Sequence, residues 1–366
     1  MLWRIFSILM IVMAAAGMIY LAACFHRFSP LQRLARRNRF LSWLLAAAPV
    51  ALLACFWFIN VTTMAVVFLH VILFWIICGL AGRVIARLRG RPLNRDKAGI
   101  AALVIAAAYL GAGWYFAHHI YQTNYALTTA KELGRDSLRI AEIADSHIGI
   151  TLDGQDFARL TEQVQAAEPD LVVIVGDFVD DDTEREDMLA ACRALGELDT
   201  PLGVYFAFGN HDQGYFNYRN FTAQELRAAL TENGVTILAD ESVLLDDSFY
   251  LIGRQDRSMR GRMEAGALTA ELDPSKYAIL LDHQPNDYAN EAASGADLVL
   301  SGHTHGGHIF PAGLIGLAMG ANDRVYGLER RDGTNFIVTS GVSGWAIPFK
   351  TGTISEFVVI DITQAS

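Results

Sequence analysis

Long apolar runs without charge near the start of the chain restrict its fold most strongly. Leu41–Leu80 contains no Asp, Glu, Lys or Arg, and neither do Ile5–Phe25 and Gly99–Ala117. A helix needs about 20 apolar residues to cross a bilayer, and these runs lack the alternating polar positions of a helix that packs in a soluble domain. They predict four transmembrane helices, two of them within Leu41–Leu80 with a reversal near Asn60–Thr63.

The charges are divided unevenly along the chain. Residues 1–117 carry twelve Lys or Arg and one acid, a formal charge of +11, whereas residues 118–366 carry 17 basic and 38 acidic residues, a charge of −21. Such a difference indicates different surroundings for the two parts. The acidic part lacks the basic face that nucleic acids require, so we expect no nucleic-acid partner. No pattern in the chain indicates an obligate protein partner.

Two arginine-rich loops predict the orientation in the membrane. His26–Phe40 holds five arginines and Arg83–Lys97 holds six Lys or Arg, and positively charged loops stay in the cytoplasm. With four spans, the N-terminus and everything after Ala117 then lie outside. We therefore predict a multi-pass protein of the inner (cytoplasmic) membrane whose second part faces the periplasm or the cell exterior.

An alternative interpretation is a lipoprotein signal. Leu21–Cys24 follows a short apolar run, and Met1–Arg4 would be the charged n-region. Cleavage there would leave the arginine-rich loop His26–Phe40 outside, against the charge rule. The cysteines indicate no disulfide framework, because three lie in apolar runs and one stands alone: Cys24, Cys55, Cys78 and Cys192.

The second part alternates short apolar runs with amphipathic stretches, which predicts a layered α/β fold. The predicted domains are 1–117 (membrane), 118–136 (polar connector) and 137–366 (α/β). The predicted strands are Leu138–Ala144, Leu171–Val175, Val204–Phe208, Phe249–Ile252, Ala278–Leu281, Leu298–Leu300, Phe336–Thr339 and Phe357–Ile362. The predicted helices are Phe157–Ala167, Arg185–Leu198 and Ala223–Asn233.

Polar side chains follow five of these strands. The endings read Asp145-Ser146-His147, Gly176–Asp180, Gly209–Asp212, Asp282-His283 and Gly302–His305. Open α/β sheets bind ligands at this edge, and alternate residues of an extended segment point the same way. One such ending is often a hydrogen-bonded structural residue, but five in order favour a site. Two divalent cations clamping a phosphate need this mixture of carboxylate and imidazole, which suits Mn, Zn or Fe.

The ordered motifs D-x-H, GDxxD, GNHD, H and GHTH resemble those of the calcineurin-like metallophosphoesterase family, in particular its membrane-anchored bacterial members, over residues 138–362. The resemblance implies an α-β-β-α sandwich and two divalent metal ions with a metal-activated hydroxide as nucleophile. It places Asp145, His147 and His305 on one ion, Asp177 between the ions, and Asn210, His283 and His303 on the second.

The same resemblance implies roles for neighbouring residues. His211 is expected over the phosphate, where it would protonate the leaving oxygen or stabilise the transition state, oriented by Asp212. Asp180 is read as support for the ligands rather than as a ligand. Asp282 points away from His283 on an extended strand, which favours a structural role.

Three features after the last motif are open to two interpretations each. His308 stands where relatives often have glutamine, and it either contacts substrate at the rim or belongs to the loop. Lys350, in SGWAIPFKTG, either faces the phosphate beside an aromatic wall of Trp345 and Phe349 or lies in a surface loop. The uncharged stretch Ile309–Ala321 is either core or a surface for the bilayer or an acyl chain.

Together these features predict a membrane-anchored metal-dependent phosphoesterase. The expected substrate is a phosphodiester, phosphomonoester or pyrophosphate in a lipid or envelope component. One alternative is a soluble nucleotide or sugar phosphate. Another is a non-catalytic sensor or scaffold, which would be expected to lose ligands, yet all seven ligand positions are filled.

The charge rule gives a direct prediction of topology. Two reporters, each active on only one side of the membrane, can be fused after Ser366 in separate experiments. The reporter that is active outside the cytoplasm is expected to give the signal. A signal confined to the cytoplasm would reverse the predicted orientation.

Overall fold

The computed structural model describes residues 15–92, 95–214 and 219–365. Within it the chain separates into two units, Met1–Ala112 and Gly113–Ser366. The helix that begins at Arg95 ends at His118, so its last turns belong to the second unit.

The apolar runs of the first unit form helices. The described residues contain three helices long and apolar enough to cross a membrane, Arg39–Phe58, Val61–Arg89 and Asp96–His118. The predicted reversal near residue 60 is confirmed, because Asn60 Oδ1 accepts a hydrogen bond from Thr63 N at 2.7 Å and caps the second of them. The first predicted span, Ile5–Phe25, begins outside the described residues, and its end lies in a shorter apolar helix. The helices in order are α1 Ala15–His26, α2 Ser29–Ala35, α3 Arg39–Ala54, α4 Val61–Arg89 and α5 Arg95–His118.

The second unit contains two six-stranded sheets. The strands are β1 Ile120–Thr129, β2 Ser137–Ile143, β3 Leu171–Val175, β4 Val204–Ala207, β5 Thr236–Ile237, β6 Glu241–Leu245, β7 Phe249–Gly253, β8 Tyr277–Leu281, β9 Leu298–Ser301, β10 Gly327–Arg331, β11 Thr334–Val338 and β12 Ser355–Gln364. The strand orders of the two sheets are β1-β12-β2-β3-β4-β5 and β10-β11-β9-β8-β7-β6. In the first sheet β2, β3 and β4 are parallel, and in the second β7, β8 and β9 are parallel.

The sheets pack face to face and helices cover their outer faces. The inner core joins side chains of both sheets, such as Ile140 and Val173 from one and Ile279 and Leu300 from the other. One outer core packs the first sheet against three helices and another packs the second sheet against two. These are α6 Gly154–Ala166, α7 Arg185–Gly196 and α8 Ala223–Glu232, then α9 Ala265–Thr269 and α10 Tyr288–Ala293. The predicted α-β-β-α sandwich is confirmed.

One segment differs from the sequence prediction. Residues 120–129, within the expected connector 118–136, form β1, which pairs in parallel with β12 over its whole length. Its residues alternate between exposed and partly buried over much of the strand. An edge strand with one polar face shows no continuous apolar run, so the pattern resembled a loop.

Candidate metal centre

Backbone hydrogen bonds bring the polar strand endings together. Asp145 N donates to Gly176 O at 3.1 Å, and His147 N donates to Asp177 O at 3.0 Å, which joins the loops after β2 and β3. The loops after β8 and β9 are joined by Gly302 N, which donates to His283 O at 3.1 Å. His303 N donates to both carboxylate oxygens of Asp145 at 2.9 Å. The endings of both sheets therefore form one site.

One group of ligand atoms comes from Asp145, His147 and His305, which lie within 4.8 Å of one another. All three side chains are buried. His305 Nδ1 donates to Ser343 O at 3.1 Å, which fixes the tautomer and leaves Nε2 as the free electron-pair donor. Among the described residues, His147 Nε2 is buried without a hydrogen bond. A buried nitrogen without a partner is costly unless something binds it.

A second group comes from Asp177, His283 and His303, again within 4.8 Å. His283 Nδ1 donates to Val175 O at 2.9 Å, so its Nε2 also points into the site. Asn210 follows β4 and is buried, and His211 N donates to Asp177 Oδ1 at 2.8 Å. The endings of β3, β4, β8 and β9 thus meet on this side.

Asp177 lies between the two groups. Its Oδ2 is 3.0 Å from His283 Nε2 and 3.7 Å from His147 Nε2, so one carboxylate oxygen faces an imidazole of each group. Burial opposes its charge, but the imidazoles of His283, His147 and His211 hold the pKa of Asp177 below its usual range. An ionised carboxylate in this position has the geometry needed to bridge two cations.

Two of the candidate ligand histidines, His303 and His305, are held in the neutral form that coordinates metals. Burial lowers the pKa of His303 to about 4 and the pKa of His305 well below its usual value. His283 differs, because although burial opposes its charge, the carboxylates of Asp177 and Asp145 raise its pKa well above the usual value. Burial also raises the pKa of Asp145, and a nearby cation would oppose that shift. Imidazole, carboxylate and amide donors together suit first-row divalent ions.

The backbone of the site is strained at the ligand positions. Asp145, His147, Asp177, His303 and His305 all have positive φ, between 35° and 70°. Such conformations cost about 1–3 kcal/mol each and cluster at functional sites. The packing that imposes them is tight, because a Cβ on Gly302 would collide with Asp145 Oδ2. These strained conformations lower the stability of the fold, and they direct the side chains toward one site.

Asp180 contacts two of the site histidines. Its Oδ2 is 3.1 Å from His147 Nδ1 and its Oδ1 is 2.9 Å from His211 Nδ1. These three residues also lie close enough to form a third candidate group. Since Asp180 contacts the Nδ1 atoms, the supporting role expected for it fits the geometry better than a ligand role.

The expectation that Asp212 orients His211 is wrong. The buried Asp212 carboxylate instead accepts four backbone hydrogen bonds: from Gly209 N at 2.7 Å, Asp177 N at 3.0 Å, Phe178 N at 2.8 Å and Val179 N at 3.1 Å. Burial and the charge of Asp177 raise the pKa of Asp212 to about 6, although the Gly209 and Val179 N–H groups oppose the shift. Asp212 shapes the loop that carries Asp177, and Asp180 orients His211.

Neither interpretation of Lys350, a cation that faces the phosphate or a residue of a surface loop, matches the structure. Its side chain is fully buried, and Nζ donates to the carbonyl oxygens of Ser340 at 2.6 Å, Gly341 at 2.9 Å and Ile354 at 3.3 Å. Burial lowers the pKa of Lys350 to about 7. The residue ties together the backbone behind the site.

His308 connects the metal-site loop to the loop that follows β11. Its Nε2 donates to Ile347 O at 3.2 Å, and its carbonyl oxygen accepts from Thr351 N and Gly352 N, both at 2.9 Å. The same loop carries Trp345, which is 46% exposed and has its ring 5.5 Å from the His211 ring. These contacts favour the loop interpretation of His308, with Trp345 at the rim of the site.

Asp282 has the structural role expected for it. It is fully buried, its Oδ2 lies 3.0 Å from Arg254 Nη1, and it also pairs with Arg262. Two other contacts near the site are not predicted by the sequence motifs. Gln284 Nε2 donates to Asn210 Oδ1 at 3.4 Å and to Asp256 Oδ2 at 2.9 Å.

Comparison with known proteins finds one family and several relatives. The family model described as calcineurin-like phosphoesterase matches residues 138–307. An uncharacterized metallophosphoesterase of Aquifex aeolicus is 32% identical over 266 residues, 71% of this chain and 97% of the relative. An uncharacterized metallophosphoesterase of Campylobacter jejuni is 32% identical over 62% of this chain. A Danio rerio transmembrane protein with a metallophosphoesterase domain is 31% identical over 63% of this chain. The matches span 60% and 54%, respectively, of the last two relatives.

Asp212→Asn tests the role of the buried carboxylate. The amide replaces an acceptor oxygen with a donor facing backbone N–H groups, so the free energy of unfolding is expected to fall by about 2–3 kcal/mol. The effect is measured by thermal unfolding and by the metal content of the purified chain. Both the unfolding temperature and the metal content are expected to fall. The control is Asp199→Asn, the same change at an exposed residue. Unfolding and metal content equal to those of the control would contradict the role.

Proposed function

The chain belongs to the calcineurin-like metallophosphoesterase family, which comprises metal-dependent phosphoester hydrolases, and from this premise we propose that it is a membrane-anchored phosphoesterase with two metal ions. The observation that carries the proposal is the position of Asp177, whose Oδ2 faces an imidazole from each of two buried ligand groups.

We assign the ligands by side of the site. Asp145, His147 and His305 would hold one ion, and Asn210, His283 and His303 the other, with Asp177 shared. Mn, Zn and Fe all suit these donors. Two such cations would supply positive charge to the phosphate and would lower the pKa of the attacking water. The residues keep the geometry fixed, because Ser343 O and Val175 O bind the Nδ1 atoms of His305 and His283.

His211 is the proposed general acid. Burial opposes its charge, but Asp180 and the other nearby carboxylates raise the pKa of His211 above its usual value. The hydrogen bond to Asp180 engages Nδ1, so the proton for the leaving oxygen comes from Nε2. Trp345, with its ring 5.5 Å from that of His211, gives an apolar wall for the leaving group.

The membrane helices and the apolar rim support a phosphate ester in a lipid or envelope component as the substrate. The chain is a membrane protein with three described spans, so lipid phosphates are within reach at high local concentration. The charge rule predicts that the catalytic unit lies outside the cytoplasm. Trp345, 46% exposed with its ring 5.5 Å from that of His211, gives the rim of the site an apolar surface that an acyl or prenyl chain would contact.

The metal assignment is tested with purified full-length protein in detergent. With Mn²⁺ it is expected to hydrolyse bis-p-nitrophenyl phosphate, and His303→Ala and Asp177→Asn each to lose at least ~100-fold in kcat, because even residues that only support metal ligands contribute about 10–100-fold. A chelator should abolish the activity, and added Mn²⁺ should restore it. His119→Ala is the matched control at an exposed histidine outside the ligand groups. Wild-type activity in both ligand variants would refute the assignment.

The substrate class is tested in vesicles. The reconstituted protein is expected to release a phosphorylated headgroup or inorganic phosphate from the lipids, detected by mass spectrometry, and Asp177→Asn is expected not to. A panel of nucleotides and sugar phosphates serves as comparison. A higher kcat/KM for a soluble compound, with no lipid product, would favour the soluble-substrate function instead.

A further inference from the structure

An exposed apolar segment follows the metal-site loop. The segment Phe310–Met319, which we call the apolar loop, includes the helix α11 Ala312–Ala318. None of the seven residues of α11, all within the described range, is buried. The exposed fractions are 56% for Phe310, 61% for Leu314, 53% for Ile315, 39% for Leu317 and 78% for Met319. A soluble surface seldom exposes so many large apolar side chains together.

The apolar loop is attached firmly to the site. Phe310 N donates to Thr351 Oγ1 at 3.1 Å and Ala312 N donates to Ile309 O at 2.7 Å. Gly313 packs so closely on Gly307 that a Cβ at position 313 would collide with it. The exposed side chains therefore stand on a fixed backbone five residues after the proposed ligand His305.

The same part of the fold contacts the end of a spanning helix. Lys350 N donates to Gly113 O at 2.8 Å in the last turns of α5, and the Phe349 ring lies 5.6 Å from the Trp114 ring. Residues 349–351 thus connect these turns to the start of the apolar loop. Trp114 and Tyr115 are 44% and 52% exposed, and exposed aromatic residues at the end of a span mark the membrane–water interface. The apolar loop is therefore connected, through residues 349–351, to the aromatic residues that are expected to lie at the bilayer surface.

We propose that the apolar loop inserts into the interfacial layer of the bilayer that this chain's own helices cross. Its seven-residue helix is about 10 Å long, which is too short to span the membrane. An apolar helix can instead lie in the plane of the interface, with its apolar side chains buried roughly 5–10 Å deep. The segment 309–321 carries no charge, so insertion brings no ionised group into lipid. Insertion would bring the headgroup layer to the metal centre, and this last consequence rests on the proposed function.

Spin-label accessibility measures the insertion directly. Leu314→Cys and Met319→Cys, in a full-length chain whose four native cysteines are replaced by serine, are labelled and reconstituted in vesicles of phosphatidylethanolamine and phosphatidylglycerol. Both labels are expected to be relaxed more by oxygen, which concentrates in lipid, than by a water-soluble nickel chelate. Glu232→Cys, at the exposed end of α8, is the control and is expected to show the reverse. Control-like nickel accessibility at 314 and 319 would overturn the proposal, and so would low accessibility to both reagents, which would indicate a protein cover.

A paired variant separates this inference from the proposed function. Leu314→Gln with Met319→Gln is expected to lower hydrolysis of vesicle lipid about tenfold, because removing two apolar side chains from lipid costs at least ~1.4 kcal/mol, while bis-p-nitrophenyl phosphate hydrolysis in detergent stays unchanged. Equal lipid hydrolysis by the variant and wild type would contradict a role for insertion in catalysis. Insertion by spin label without any phosphoesterase activity would refute the proposed function alone.

Discussion

The buried carboxylate of Asp177 connects the parts of this site. Asp177 follows β3 of the first sheet, yet its Oδ2 lies 3.0 Å from the Nε2 of His283, which follows β8 of the second sheet. Its backbone N–H is one of the four held by Asp212. The position of one side chain thus depends on both sheets and on a second buried acid. A carboxylate shared between two groups of imidazoles is costly to bury without compensating positive charge, and a pair of cations would provide that charge.

This arrangement couples the metal centre to the packing between the sheets. Asp145 and Asp177 follow strands of the first sheet, and His283 and His303 follow strands of the second, while the core between the sheets contains side chains of both. The positive φ values of five ligand positions add strain that the folded state has to offset. Because metal binding favours the strained, folded state, the ions are expected to stabilise the catalytic unit as well as to activate it. The cations would then link the two sheets through ligands from each of them.

Much of the fold and most of the candidate ligands were predictable from the sequence because their signals are local. A spanning helix shows as a long uncharged run and a central parallel strand as a short apolar run, and the ligands follow such runs directly. The edge strand β1 was missed because its half-exposed residues interrupt the apolar run. The partner of His211 does not follow from the sequence, because Asp212 is adjacent along the chain but Asp180, 31 positions earlier, is the residue whose Oδ1 lies 2.9 Å from His211 Nδ1. The burial of Lys350 depends on three carbonyl groups that only the folded chain brings together. For His211 and Lys350, contacts made only in the folded chain decide the role of the residue. Residue type and spacing in the sequence do not reveal these contacts.

X-ray absorption spectroscopy of the metal-loaded protein tests most directly whether Asp177 joins two ions. With Mn²⁺ or Zn²⁺ at saturation, we expect two ions per chain and a metal–metal scattering distance of about 3.5–4 Å. In Asp177→Asn that scattering shell should disappear. One ion per chain at saturation, or two ions without a metal–metal shell in the wild-type protein, would contradict a shared carboxylate between two adjacent metals.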